Sequence, residues 1–257
     1  MPRRPFPCPL ARGLLLTCAV TVLAAVAMPT APVQAAPQCL SRSIGAPTHG
    51  RLVAGRRLPS WGTHYAIQPF TVRNGYVWGT CELIDGLRWV ADELAGTLQG
   101  RPLALGNLSP RKGGEMPISS SHESGRDVDV APLMADDLGR PIPSYYHHFD
   151  RDGISRSHGP RFRFDVARNW RLVEVILACP HFEVEKLVIA PYLRDSLLAY
   201  ARQQNAAPEL VGLAERKLVP PWPGVKLHDN HFHLRIACSV ADLAAGCQDS
   251  MPQRVAF

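Results

Sequence analysis

The stretch VKLHDNHFHLRIAC, Val225 to Cys238, changes character at His231. From there polar and apolar residues alternate, and a period of two marks a strand with one covered face. His231, His233 and Arg235 share one side of it, and Phe232, Leu234 and Ile236 the other. The apolar side is expected to be core, which leaves the histidine side as the working face. A second stretch, SSSHESGRDVDVAPL from Ser119 to Leu133, repeats the pattern, with Asp127 and Asp129 opposed to Val128 and Val130. Two such strands are suited to line one cleft with polar, metal-type ligands.

His122 lies seven positions before Asp129. On one helix the two would stand about 10 Å apart at ~1.5 Å per residue, too far for a single ion with bonds of about 2 Å. Gly125 therefore predicts a turn that folds His122 back toward Asp129. Two imidazole nitrogens and one carboxylate suit zinc, and three protein ligands leave a fourth tetrahedral position for water, as in catalytic sites. Because His231 and His233 share a face, side-chain direction does not say which of them is the ligand.

Around these motifs the chain reads as strands mixed with helices without a regular βαβ rhythm. HYAIQPFTVRNGYVWG predicts strand, Asn-Gly turn, strand. CELIDGLRWVADELAGTLQG predicts a helix through Leu83, Leu87, Val90, Leu94 and Leu98, closed by Gly100. Asp165 is placed to cap a helix with Val166, Trp170, Val173 and Leu177 on one face. EKLVIA reads as a buried strand, followed by two further helices. DRDG, Asp150 to Gly153, lacks the later acidic ligand of a calcium loop and reads as a hairpin turn. His147 and His148 read as loop residues. The sum is an α+β fold, a central antiparallel β-sheet with flanking helices and long loops, its zinc site in a cleft on the sheet.

The first residues resemble a signal peptide. Arg3, Arg4 and Arg12 precede an apolar run from Leu14 to Met28, and Val33, Gln34 and Ala35 offer a cleavage site. The apolar run is short for the ~20 residues of a spanning helix. Residues 1–35 are thus expected to be removed, leaving residues 36–257 as one domain, secreted or periplasmic, with no stable membrane insertion. The leader holds three arginines and no acid, so the formal charge of +6 falls by three to +3. No basic block with interleaved aromatics marks a nucleic-acid surface. Cys39, Cys81, Cys179, Cys238 and Cys247 remain, an odd number without a CxxC pair, and are expected to be disulfide partners with at least one left over. Cys238 and Cys247 would close a short loop just after the histidine strand.

SHESGRDVDV and HDNHFHLRIAC together resemble the penicillin-insensitive murein endopeptidases, zinc peptidases related to lysostaphin-type enzymes, D-alanyl-D-alanine peptidases and hedgehog domains. SIGAPTHGRLVAG, GNLSPRKGGEMP and DRDGISRS extend the likeness over most of Ser43 to Cys238. The resemblance implies that His122, Asp129 and His233 bind Zn²⁺. It makes His231 a non-ligand catalytic histidine, with His228 a further one. It implies peptidoglycan as substrate and the D-alanyl-meso-diaminopimelate cross-link as the bond cut. One position departs: a histidine often found three residues before the first ligand is Ser119 here. Serine triad chemistry is not supported, since no G-x-S-x-G elbow is present. Two other functions fit the same scaffold, a zinc D,D-carboxypeptidase or dipeptidase and a non-catalytic zinc-containing wall-binding protein.

Overall fold

The computed structural model describes residues 40–156 and 160–249, all within one compact unit. The expected signal peptide, and Cys39, lie outside the described residues. The chain opens with a hairpin of β1 (Arg42–Ala46) and β2 (His49–Val53), then β3 (Arg56–Arg57), β4 (Tyr65–Ile67), α1 (Pro69–Arg73) and β5 (Trp78–Gly79). Next come α2 (Cys81–Glu93), α3 (Ala95–Leu98), β6 (Leu103–Leu105) and β7 (Asp127–Val130). The short strands β8 (Met134–Ala135), β9 (Pro141–Ile142) and β10 (Arg163–Phe164) form a small sheet of their own. The remainder is α4 (Val166–Leu177), β11 (Val184–Val188), α5 (Pro191–Gln203), α6 (Pro208–Lys217), β12 (Leu218–Val219), β13 (Phe232–Ile236) and α7 (Val240–Ala244).

The main sheet has six strands in the order β12-β11-β13-β7-β6-β4. Its four inner strands pair antiparallel, as expected, but β12 and β4 run parallel to their neighbours. The sheet is therefore mixed. Each parallel pair is joined through intervening helices, which return the chain in its original direction, whereas a tight turn would reverse it. The α+β class stands.

The expected hairpin across residues 64–79 is replaced by strand, helix, strand. Pro69 sits in the first turn of α1, where its fixed φ and missing N–H are tolerated. Asn74 then caps the helix, its side chain donating to the Phe70 carbonyl at 2.8 Å, so Asn-Gly ends a helix instead of turning a hairpin. The other helices follow their sequence signals. Asp165 caps α4 by accepting from the Arg168 N–H at 3.0 Å. Leu83, Leu87, Val90, Leu94 and Leu98 are all buried, although the expected single helix breaks at Leu94 into α2 and α3. The Asp150 carboxylate accepts from the N–H groups of Asp152 and Ile154, closing the expected turn at DRDG.

Val128 and Val130 of β7 and Phe232 and Leu234 of β13 join the core with α2, α4 and α5 residues such as Leu87, Val173 and Leu197. Burying such side chains contributes roughly 1.5–3 kcal/mol each. That face locks the register, because a slip by one residue would turn the apolar side chains toward the histidine face and drive the charged ones into the apolar core. In the observed register His233 stands opposite Asp129 and Arg235 opposite Asp127.

Residues 106–126 form a long connection between β6 and β7, fastened to the preceding elements. Ser109 and Trp78 exchange backbone bonds, Leu52 N–H donates to the Lys112 carbonyl, and Glu123 N–H to that of Pro47. Gly113 is required here: its φ is +68°, and a Cβ would meet the Glu123 oxygen at 2.1 Å. A loop held this way delivers His122 to the sheet in a fixed position.

Candidate metal centre

His122 ends that long loop, with Gly125 at φ +80° forming the bend between it and β7. A Cβ on Gly125 would approach the Leu52 side chain to 2.6 Å. The bend does what the spacing required and turns His122 back over the strand. His122 itself has φ +70°, a left-handed backbone costing of order 1–3 kcal/mol in a non-glycine residue. Two bonds hold it there: Ser109 Oγ donates to its carbonyl at 2.5 Å, and its N–H donates to Asp127 Oδ2 at 3.2 Å.

Three side chains converge. His122 Nε2 lies 3.3 Å and His233 Nδ1 3.2 Å from Asp129 Oδ1. One ligand atom from each of the three falls within 4.8 Å of the others, and all three residues are buried. Bonds of ~2.0–2.1 Å in tetrahedral directions place neighbouring ligand atoms about 3.3 Å apart. The two measured spacings match that edge, so the group is of the size and donor type that could hold a metal ion.

His233 and Asp129 are each oriented by a further group, whereas His122 Nδ1 is buried without a hydrogen-bond partner among the described residues. His233 Nε2 lies 3.0 Å from Asp127 Oδ1, the carboxylate–histidine pairing typical behind a metal ligand. Asp127 also accepts from Arg235 Nε at 2.6 Å and from the His122 N–H. Burial alone would raise the Asp127 carboxyl, but Arg235 and His233 hold it well below the usual carboxylate range. Asp129 behaves likewise: burial opposes ionisation, and His122 and His231 outweigh it. Asn107 Nδ2 donates to Asp129 Oδ2 at 3.1 Å, and Tyr146 donates its hydroxyl to the Asp129 carbonyl at 2.9 Å. Burial, with Asp129 beside it, pushes the Tyr146 phenol well up, so it stays a donor.

His231 and His228 stand next to this group without entering it. The His228 ring centroid is 4.9 Å from that of His231 and 5.8 Å from that of His233. His228 also has a left-handed backbone, φ +55°. Burial lowers the His231 pKa to about 4, and burial followed by the neighbouring His233 lowers that of His228. Both rings are therefore neutral near pH 7.

A chain of side chains sets the His231 tautomer. His148 Nδ1 donates to Asp229 Oδ1 at 2.6 Å, leaving His148 Nε2 to accept from Asn230 Nδ2 at 3.5 Å. Asn230 Oδ1 then accepts from His231 Nδ1 at 2.6 Å. The free lone pair of His231 is thus on Nε2, which lies 3.5 Å from Asp129 Oδ1. Asp229 is buried, bonds Arg156 as well, and pins the turn between His228 and His231.

The structure brings together His122, Asp129 and His233, with His231 and His228 beside them. His147 and His148 lie in a loop, as expected, and His148 joins the network just described. Ser119 serves a turn, its Oγ accepting from the Ser121 N–H. Sequence reasoning missed Asn107, Tyr146 and Asn230 as members of the site. Asp127 had a visible signal, since the alternation already placed it on the face of Asp129. The other three sit in loops whose course no periodicity reveals.

A search of curated proteins returns no match to this chain. The sequence profile of the penicillin-insensitive murein endopeptidase family matches residues 43–255.

Proposed function

The chain belongs to the penicillin-insensitive murein endopeptidase family, and on that premise we propose that it is an exported zinc enzyme that hydrolyses D-alanyl-meso-diaminopimelate cross-links of peptidoglycan. Residues 1–35 serve as its cleavable export signal, and residues 36–257 as a single peptidase domain.

The observation that carries this reading is the convergence of His122, Asp129 and His233, with His122 Nε2 and His233 Nδ1 both at tetrahedral-edge distance from Asp129 Oδ1 and all three ligand atoms within 4.8 Å. These three residues would hold the zinc. When bound, the ion supplies Lewis-acid polarisation of the scissile carbonyl and brings the pKa of a water to about 7. Asp127, Asn107 and Arg235 keep the ligands in one orientation before substrate arrives. His231 is the catalytic proton carrier: burial keeps it neutral, Asn230 holds the proton on Nδ1, and Nε2 takes up a proton and returns it to the departing amine. His228 flanks it as a second catalytic histidine: its Nδ1 donates to the Lys226 carbonyl, which leaves Nε2 as a second proton acceptor.

The test is mass spectrometry of products from defined cross-linked muropeptides. Dimers are expected to fall to monomers, chelators to abolish this, and β-lactams to leave it intact. Release of terminal D-alanine alone would make the protein a carboxypeptidase instead. Binding of sacculi without solubilisation would make it a wall-binding protein.

A further inference from the structure

A groove of about 1170 Å³ is lined by the β1–β2 hairpin, by residues 114–120, and by Glu123 and Lys226. None of the five candidate side chains lines it, yet two of its walls lead into them. Glu123 is the residue next to His122, and the Lys226 carbonyl accepts a 2.6 Å hydrogen bond from His228 Nδ1. Small-molecule pockets hold roughly 300–1,000 Å³. This groove exceeds that range and suits a piece of extended polymer.

Its charges identify the piece. Arg51, Lys226 and Glu115 bring two positive charges and one negative charge to the groove, beside Glu123, whose half-buried carboxylate accepts from the Gly50 N–H. All three are exposed, and among the described residues none of them makes an ion pair or a side-chain hydrogen bond. Peptidoglycan offers two kinds of chain, sugars that present hydroxyls and amides, and stem peptides that carry free carboxylates and amines. Unpaired charges of both signs along one wall complement the second and do nothing for the first.

We propose that this groove is the subsite for the stem peptide, with Lys226 and Arg51 receiving its free carboxylates and Glu115 its amine. The proposal rests on the functional reading above. It adds a specificity: a stem whose diaminopimelate carboxylates are free binds better than one in which they are amidated.

Calorimetric titration of the purified protein tests it, with a synthetic stem tetrapeptide in free-acid and amidated forms and a peptide-free disaccharide as probes. The free acid is expected to bind roughly two- to fivefold more tightly than the amide, the worth of one exposed ion pair. Lys226→Ala and Arg51→Ala should each shrink that difference, added salt should do the same, and the disaccharide should not bind. Variants that bind the free acid as the wild type does, or a disaccharide that competes for it, would overturn the assignment. The same preparations assayed on cross-linked dimers keep the two readings apart. Dimers left uncut while stem binding persists would sink the catalytic reading alone, and dimers cut with equal KM by wild type and both variants would sink the groove alone.

Discussion

His233 and His231 are two residues apart on one strand face, yet their surroundings differ in kind. His233 is held between two carboxylates, Asp127 on one nitrogen and Asp129 on the other. Burial works against protonating its ring, and the hydrogen bonds to Asp127 and Asp129 more than reverse this, so its pKa is raised. A ring flanked by two carboxylates is suited to positive charge, and a metal ion there would take the place of its proton. His231 has an amide oxygen on one nitrogen and a lowered pKa, which suits a proton carrier. We therefore expect His233→Ala to lose its zinc, and His231→Ala to keep near-stoichiometric zinc while losing about 10² to 10⁴ in turnover. Metal content measured beside muropeptide hydrolysis checks both. Equal loss of zinc in the two variants would make His231 a ligand, and full activity in His231→Ala would pass the proton-carrying role to His228.

At the scale of elements, the strand that carries the histidines is tied down at its far end. The Cys238–Cys247 disulfide, expected from the sequence, closes the segment holding α7. Asp242 of α7 accepts from the Ser43 N–H at 2.9 Å, linking this segment to the β1–β2 hairpin. Arg126, wholly buried, donates to the Ile236 carbonyl, to the Gln248 carbonyl and to Asp249, and joins the same region to the start of β7. The double variant Cys238→Ser, Cys247→Ser should lose about 2–3 kcal/mol, the chain-entropy worth of so short a loop. Denaturant titration of the oxidised wild type against the variant reads this directly, and an unchanged midpoint would show that Arg126 and Asp242 hold the segment without the bridge.

For the whole molecule, Cys179 reports on the core. It is the free cysteine among the described residues, it packs at the end of α4 against the central cluster, and its side chain is buried. Burial pushes its thiol up, which disfavours the reactive thiolate. Its alkylation at pH 8 is expected to be slow in the native protein and fast in denaturant, so the rate in mild denaturant follows opening of the helical layer. Rapid native labelling would mean that this layer opens separately from the sheet. Among the described residues no helix is long and apolar enough to cross a membrane.

The sequence by itself determined the elements that obey a period. The strands β7 and β13, the helices α2 and α4 and the faces they bury were legible, because alternation and helical spacing are local properties that burial enforces residue by residue, whereas the choice of His233 over His231 beside His122 and Asp129 came from the family resemblance alone. The Cys238–Cys247 bridge was legible for the same reason, being a short-range closure. Where local signals compete, the sequence misled. Asn-Gly reads as a hairpin turn, but Pro69 five residues earlier starts a helix that the pair then caps. Parallel edges of the sheet, the course of residues 106–126, and the delivery of Asn107, Tyr146 and Asn230 to the site were decided by tertiary structure alone. Those positions depend on which strand lies beside which and on hydrogen bonds between residues far apart in the chain, such as Tyr146 to Asp129 and Asn230 to His148. No pattern within one segment encodes a partner in another, so only the folded chain fixes which nitrogen of His231 keeps its proton.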